Sequence, residues 1–340
     1  MGGVICQEKK RKYISDKTGT VFEIRILYSL NKKFFCFYFK LLSPIIVSMK
    51  LVFLGTGTSH GIPVIGCDCA VCKSTDPHDR RYRCSAYVTT NGGKHILIDC
   101  GPEFRLQALE NNIREVDAVL LTHSHADHLH GLDDLRIFST AFSHKVTNPK
   151  AIEQMKKPPI PIYTNENTLK DVEVRFDYVF RTHKQGGGVA KIQLFAPENT
   201  FDLGDIKVTP IPMMHGTLPV TGWLLTETDD KGEKKSIAYL TDLNYISDSS
   251  IKLINENCGK LVHLVIDGLR IKEHSTHFTI LEAMQCAAKI PAEHVWLTHL
   301  THMNSHEEVI AYVKEQLPNV PGLKTCKSVL PAYDRLVIEC

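Results

Sequence analysis

Thr122-His123-Ser124-His125-Ala126-Asp127-His128 follows the apolar run Asp117-Ala118-Val119-Leu120-Leu121, and the junction between them decides how the chain is read. The apolar run reads as a buried strand, so the His and Asp side chains fall where a strand ends and a loop begins. Loops held by a rigid scaffold are where binding and catalytic groups collect. His123 and His125 stand two apart, and on extended backbone that spacing points both imidazoles to one side, where they can share a metal ion. Asp127 and His128 are adjacent and come after the turn, so they suit a second ion. A merely solvated polar loop does not account for four potential ligands in six positions, released by an apolar strand and continued by Leu129-His130-Gly131-Leu132.

The pattern returns downstream. Pro210-Ile211-Pro212-Met213-Met214-His215-Gly216, Ala238-Tyr239-Leu240-Thr241-Asp242 and Val295-Trp296-Leu297-Thr298-His299 each run an apolar strand pattern into a potential ligand. A lone His or Asp at a strand end is ordinarily a cap or a surface residue. Repetition changes that reading, because the strand ends and the first motif together offer five His and two Asp, enough for two ions with water at open positions. Asp99, which closes an earlier strand in Asp99-Cys100-Gly101-Pro102, suits the task of orienting a ligand imidazole; capping the helix over 103–111 is its alternative use.

Composition excludes several classes. The 340 residues suffice for a large core, and 43% hydrophobic with 23% charged residues is the balance of an ordinary globular protein. The net charge of +2 points to no particular partner, but residues 1–48 carry an excess of about six positive charges and leave the remainder slightly acidic. Eleven cysteines are too scattered for a disulfide scaffold, which favours a reducing, cytoplasmic setting, and Cys67, Cys69 and Cys72 cluster as soft metal ligands.

Residues 1–48 differ in character from residues 49–340, and the expectation is an N-terminal extension, disordered or not native, with the native start at Met49. Its aromatic and apolar run is broken by Lys40 and Pro44 and is too short to span a bilayer, and no small-residue cleavage site is present. A membrane-proximal anchor is the rival reading. From Met49 a strand opens into Gly55-Thr56-Gly57-Thr58-Ser59-His60-Gly61-Ile62-Pro63, a turn that lets backbone pass close to a site without being a phosphate-binding loop. Strands 84–90 and 94–99 flank the hairpin signal Asn91-Gly92-Gly93. Residues 131–140 read as helix, and 141–191, rich in Pro and Gly, as a lid or peripheral subregion. Strands are expected at 192–195, 206–212, 221–227 and 236–240. Helices at 246–257, 279–289 and 306–317 then alternate with strands at 261–266 and 294–298. Antiparallel strands covered outside by helices make a layered α/β sandwich.

Thr122 to His128, with His215, Asp242 and His299 in that order, resembles the metallo-β-lactamase superfamily. Within it, His130-Gly131-Leu132-Asp133-Asp134-Leu135-Arg136, the opening G-T-G-T-S-H-G-I-P and I-D-C-G-P resemble the PhnP family of cyclic-phosphate phosphodiesterases, over about residues 49–340. The resemblance implies an αββα four-layer sandwich with the site at one edge. It implies one metal on His123, His125 and His215, another on Asp127, His128 and His299, and Asp242 bridging. It makes His277, in His274-Ser275-Thr276-His277, the histidine that faces the reacting phosphate, with Asp127 the second catalytic candidate; helix capping by Ser275 or Thr276 with both His exposed is the alternative. It also supplies His302 as the fourth ligand of a structural zinc on Cys67, Cys69 and Cys72. Arg105 and Arg136 can reach phosphate, although salt bridges to Glu103, Asp133 or Asp134 are the more ordinary use.

The function expected from these residues is hydrolysis of a small cyclic phosphate, of the phosphoribosyl 1,2-cyclic phosphate kind, with two active-site Zn or Mn ions and one structural Zn. The expected partner is the small-molecule substrate, with no nucleic acid, no stable membrane insertion and a homodimer as the default assembly. A tRNA 3′-processing endonuclease of the same superfamily would bring a basic RNA-gripping arm, which residues 49–340 lack. A glyoxalase-type thioesterase shares the metal motif but not L-D-D-L-R or the Cys cluster, and a non-enzymatic binding protein would not need all seven ligands.

Overall fold

The computed structural model describes residues 48–139, 158–181 and 188–340, together with the strands Cys6–Ser15, Val21–Ser29 and Phe35–Leu41. The chain divides into two units, Met1–Ser48 and Met49–Cys340. In the first, the three strands pair antiparallel in chain order. Among the described residues no helix is long and apolar enough to cross a membrane.

In the second unit, alternation along the strands sorts side chains between two cores. Ala118 and Leu120 join one apolar cluster while Val119 and Leu121 join another, and Ile96 and Ile98 are divided from Leu97 in the same way. Strands covered on both faces read as unbroken apolar runs for this reason. One sheet runs Val337–Glu339, Lys50–Gly55, Ser85–Thr89, His95–Ile98, Ala118–Leu120, Ile160–Tyr163, Ile192–Phe195. The other runs Phe201–Leu203, Ile206–His215, Leu218–Thr228, Lys234–Leu240, Lys260–Asp267, His294–Thr298, Ser328–Pro331, with Tyr245–Ile246 beside Ile206–His215. Phe53, Ile98 and Leu120 from the first sheet meet Trp223, Tyr239 and Val265 from the second in one buried layer. Outside it, Phe104, Leu129 and Val172 cover the first sheet, and Ile251, Ile254, Met284 and Val309 cover the second. The result is a four-layer αββα sandwich.

Three expectations change. The sheets are mixed rather than antiparallel: His95–Ile98 onward, and Lys234–Leu240 onward, the strands pair in parallel. Within the stretch read as a lid, Ile160–Tyr163 is a strand of the first sheet and Glu166–Arg175 is a helix. Pro161 disguised the strand, yet it lies between buried Ile160 and Ile162 and costs the ladder a single donor. The rest of that stretch, 141–157 and 182–187, lies outside the described residues. The helix expected over 131–140 is a 3₁₀ turn, Leu132–Leu135, running into Arg136–Ser139.

A buried cation pins the glycine-rich turn against the site. Arg81 donates from Nη1 to Thr56 Oγ1 (2.7 Å) and to the Ala332 carbonyl (2.6 Å), and its Nη2 lies 3.2 Å from His306 Nδ1. Thr56 Oγ1 donates to Asp334 (2.8 Å), whose other oxygen accepts the Tyr82 N–H (2.6 Å). Burial pushes Arg81 down to about 10 and Asp334 up to about 7, and burial, then Arg81, pushes His306 down to about 4. The turn is also stitched to the residue after His299, the Leu300 N–H donating to the Thr56 carbonyl (2.9 Å) and the Thr58 N–H to the Leu300 carbonyl (3.1 Å). Removing one member of such a buried charged network strands the others. Arg81→Met is expected to cost about 3–5 kcal/mol in urea unfolding, while exposed Arg80→Ala stays within about 0.5 kcal/mol of the parent; equal midpoints for the two variants would contradict the pinning role.

Candidate metal centre

The parallel strands Lys234–Leu240, Lys260–Asp267 and His294–Thr298 point their C-terminal ends to one edge, and Ile206–His215 runs in the same sense through two antiparallel steps. Asp242 and His299 follow the ends of their strands, and Asp267 and His215 terminate theirs. From the other sheet, Ala118–Leu120 delivers Leu121 to His125, and Ala126–Leu129 adds one helical turn. Asp99, Asp242 and His299 all have positive φ, +58°, +56° and +59°, a conformation that costs a side-chain-bearing residue about 1–3 kcal/mol and collects at functional sites. Gly101 permits the closest approach of the two segments, since a Cβ there would lie 2.1 Å from the Asp127 carbonyl oxygen. The Cys100 N–H donates to the His128 carbonyl (2.7 Å) and the Gly131 N–H to the Cys100 carbonyl (2.8 Å), which is why I-D-C-G and H-G occur together.

All seven residues read as ligands converge. His123, His125 and His215 form one group whose donor atoms lie within 4.8 Å of one another; His123, His128 and Asp242 form another, and Asp127, His128 and His299 a third. Asp242 stands between them, 3.2 Å from both His128 Nε2 and His299 Nε2 and 3.9 Å from His123 Nε2. Asp127 Oδ2 is 3.2 Å from His128 Nε2 and 3.9 Å from His299 Nε2. These imidazole nitrogens are buried and close to carboxylates, yet Nε2 of His123, His128 and His299 makes no hydrogen bond. Buried polar atoms are ordinarily satisfied, so lone pairs gathered around carboxylate oxygens fit divalent cations.

Nδ1 of His123, His128 and His215 is already engaged, which fixes how those three imidazoles are presented, whereas Nδ1 of His299 is buried without a hydrogen bond. His128 Nδ1 donates to Asp99 (2.7 Å), and Asp99 also accepts the Thr122 N–H and hydroxyl (2.8 Å each). Thr122 Oγ1, its proton given to Asp99, accepts from His123 Nδ1 (3.0 Å). His215 Nδ1 donates to the Thr276 carbonyl (2.6 Å). The helix after Asp99 has Glu103 at its N-cap with no side-chain cap, so Asp99 is not its cap and is committed to His128 and Thr122.

Electrostatics follow from the crowding. Burial disfavours ionised Asp127 and Asp242, but the surrounding imidazoles, His128 first and then His299, together outweigh it and hold both well below the usual carboxylate range. Burial likewise opposes charge on His128, and Asp242, Asp127 and Asp99 overcome it and raise its pKa well above the ordinary value. His123, buried beside His128, is pushed well below it.

His277 is buried, its Nδ1 donating to Asp267 Oδ2 (2.6 Å), and its donor atom lies within 4.8 Å of those of His215 and Asp242. The helix after it is capped by Thr279 in a capping box with Glu282, so neither Ser275 nor Thr276 is the cap. Asp267 was not singled out in the sequence, although it ends an apolar strand as Asp99 and Asp242 do. Asp171 and Arg175, on Glu166–Arg175, also escaped notice: the first accepts from Ser124 Oγ and the second donates to the Ser124 carbonyl. No local pattern announces them. Glu103 pairs with Arg83, and Asp134, pushed up by burial, is drawn back by Arg105.

Away from this edge, Cys67, Cys69 and Cys72 each place Sγ 3.4 Å from His302 Nδ1. A tetrahedral zinc with ordinary bond lengths would set sulfur and nitrogen about 3.6 Å apart, so the four donors fit one ion. N–H groups of Val64 and Cys72 point at Cys72 and Cys69 sulfurs (3.3 and 3.4 Å), and the Cys72 amide, then His302, brings Cys69 down to about 6.

A profile of the beta-lactamase superfamily domain matches residues 94–300. A crystal structure described as a new diphosphatase from the PhnP family is 35% identical, with a TM-score of 0.67, covering 86% of this chain and 98% of that one. The chain belongs to the metallo-β-lactamase superfamily of hydrolases and, within it, to the PhnP family. An octanoyltransferase of Porphyromonas gingivalis is 39% identical over 256 residues, 75% of this chain, which spans only 46% of that longer protein. A ribonuclease Z of Lachnoclostridium phytofermentans is 23% identical over 289 residues, 74% of this chain and 93% of its own length.

Asp99→Ala removes the acceptor that fixes His128. It is expected to weaken divalent-metal binding at the seven-residue cluster about 10- to 100-fold in chelator competition while leaving the Cys67-Cys69-Cys72-His302 ion in place; undiminished affinity would contradict the orienting role.

Proposed function

We propose that this chain is a metal-dependent phosphodiesterase that opens a small cyclic phosphate of the phosphoribosyl 1,2-cyclic phosphate kind. The observation that carries the reading is the pairing of two adjacent donor sets, with Asp242 within 3.9 Å of His123 in one and 3.2 Å of His128 and His299 in the other, with a further histidine, His277, braced by Asp267 at their edge. The 35% identity to a PhnP-family diphosphatase supports phosphoryl chemistry.

His123, His125 and His215 would hold one ion, Asp127, His128 and His299 the other, with Asp242 between. Bound divalent cations supply Lewis acidity, making water nucleophilic at neutral pH and neutralising charge on the phosphoryl oxygens. The residues do the rest. Asp127, kept ionised by His128, offers an acceptor oxygen for the proton of the attacking water. His277 presents Nε2 to the site because Nδ1 is committed to Asp267, and the carboxylate stabilises the imidazolium that gives its proton to the leaving sugar oxygen. No covalent intermediate is required. The Cys67-Cys69-Cys72-His302 set would hold a structural zinc that ties the first loop to the strand end carrying His299.

The test is a substrate panel of bis(p-nitrophenyl) phosphate, ribosyl 1,2-cyclic phosphate, a 2′,3′-cyclic nucleotide, a thioester and a precursor tRNA. Wild type is expected to open the cyclic phosphates in a metal-dependent reaction. His277→Asn should lower kcat about 10²- to 10⁴-fold with metal content unchanged. Cleavage of the tRNA alone would move the assignment to an RNA nuclease, and thioester turnover alone to an acyl hydrolase.

A further inference from the structure

The end of the glycine-rich turn, Gly61-Ile62-Pro63, forms one wall of a cleft of about 540 Å³ that none of the seven candidate ligands lines, and His277 does not line it either. Pro77, the Tyr82 ring, Arg80 and Arg335 complete the part of the lining that matters here. The volume falls within the roughly 300–1,000 Å³ of small-molecule sites.

The charges in this cleft divide into those already used and those left over. Its three carboxylates are all engaged: Glu103 pairs with Arg83, Glu110 accepts from the Tyr82 hydroxyl (2.7 Å), and Asp334 accepts from Thr56 and from the Tyr82 N–H. Arg81 is spent on Thr56 and Ala332, and Arg83 Nε donates to the Ser59 carbonyl (2.7 Å). Arg80 and Arg335 differ. Both are exposed, and among the described residues neither guanidinium makes a hydrogen bond or an ion pair.

A free arginine on a surface is ordinary, but the backbone under these two is not. Arg335 has a φ of +71°, left-handed backbone that suits glycine and strains any residue with a Cβ. It is pinned there, its N–H donating to the Phe53 carbonyl (2.7 Å) while the Leu336 N–H donates to the Tyr333 carbonyl (3.1 Å). Such strain collects where a side chain is put to use. Arg80 is held as firmly: its N–H donates to the Pro77 carbonyl (3.2 Å), and the adjoining Arg81 exchanges two backbone hydrogen bonds with Ile62 (2.8 and 2.9 Å). Two unpaired guanidinium groups on fixed backbone suit an anion with several acceptor oxygens. The apolar faces of Ile62, Pro63 and Pro77 and the ring of Tyr82 suit a flat, weakly polar body attached to it.

We infer that this cleft binds a mononucleotide as a ligand separate from the substrate, its phosphates held by Arg80 and Arg335 and its base laid against Ile62, Pro63, Pro77 and Tyr82. A polynucleotide would want an extended basic surface, whereas residues 49–340 are slightly acidic overall. The inference is independent of the phosphodiesterase reading, since it uses none of the groups placed in the metal centre.

The experiment titrates ADP, AMP, adenosine and inorganic pyrophosphate calorimetrically into the metal-loaded full chain and into Asp242→Ala, Arg80→Ala and Arg335→Gly. ADP is expected to bind the wild type with a dissociation constant below about 1 mM, more tightly than AMP, and adenosine and pyrophosphate about tenfold or more weakly than ADP. Binding of ADP should persist in Asp242→Ala, which disables the metal centre, and should weaken about tenfold in each arginine variant. Arg335→Gly is expected to unfold at an equal or higher urea concentration than the wild type, because glycine adopts this backbone without strain; loss of ADP binding in a variant of undiminished stability separates ligand binding from a structural role. Arg80→Ala removes an exposed, unpaired side chain and supplies the same test a second time. A wild type that does not bind ADP overturns the inference. So does ADP binding that is lost in Asp242→Ala and intact in both arginine variants, which would place the nucleotide on the metal centre, and so does pyrophosphate binding as tight as that of ADP.

Discussion

The rest of the structure depends on the cost of keeping Asp242 ionised out of water. A lone buried carboxylate would be neutralised or expelled. Here it persists because His128 and His299 stand 3.2 Å from its two oxygens. His128 is in turn held by Asp99, and His299 by the backbone at the end of its strand. The arrangement is high in stakes: each buried polar group is tolerable only while the others stay in place. Positive φ at Asp99, Asp242 and His299 adds to the cost, and the sandwich of apolar layers bears it.

That dependence explains why the candidate ligands sit at the ends of different strands. Parallel strands bring their C-terminal ends to one edge, so a single residue placed after each strand reaches a common point without a long loop. The hydrogen bonds between Cys100 and both His128 and Gly131, and the clamp of Thr56 and Thr58 on Leu300, lock those ends from two sides. Arg81 then fastens the glycine-rich turn to the same edge, and the cysteines that follow the turn meet His302, three residues after His299. Stability and site geometry are in this sense one property of the chain.

Much of this was legible because its signals are local. His123, His125, Asp127 and His128 lie within six residues after an apolar run, and His215, Asp242 and His299 each terminate a strand pattern, so the periodicity that marks the strand also marks the ligand. Ile160–Tyr163 was missed because Pro161 reads as a breaker, whereas a parallel strand loses only one donor to it. The parallel pairing itself has no local signature, since strands buried on both faces look the same in either direction. Asp267 carried the same strand-end signal as Asp242 but no neighbouring histidine in sequence, and its partner His277 is ten residues away. Asp171 and Arg175 meet Ser124 across some fifty residues of chain, which spacing does not encode. For Asp99, sequence left capping and ligand orientation open; the 2.7 Å contact with His128 favours orientation.

Counting metal ions per chain tests the central claim most directly. Elemental analysis of the wild type and of Asp242→Ala, each loaded with excess divalent metal and then desalted, reads the shared role of that carboxylate. The account predicts three ions per wild-type chain and one, the cysteine-bound zinc, in the variant. Three ions retained after loss of Asp242, or a wild type that holds only the cysteine-bound ion, would contradict it.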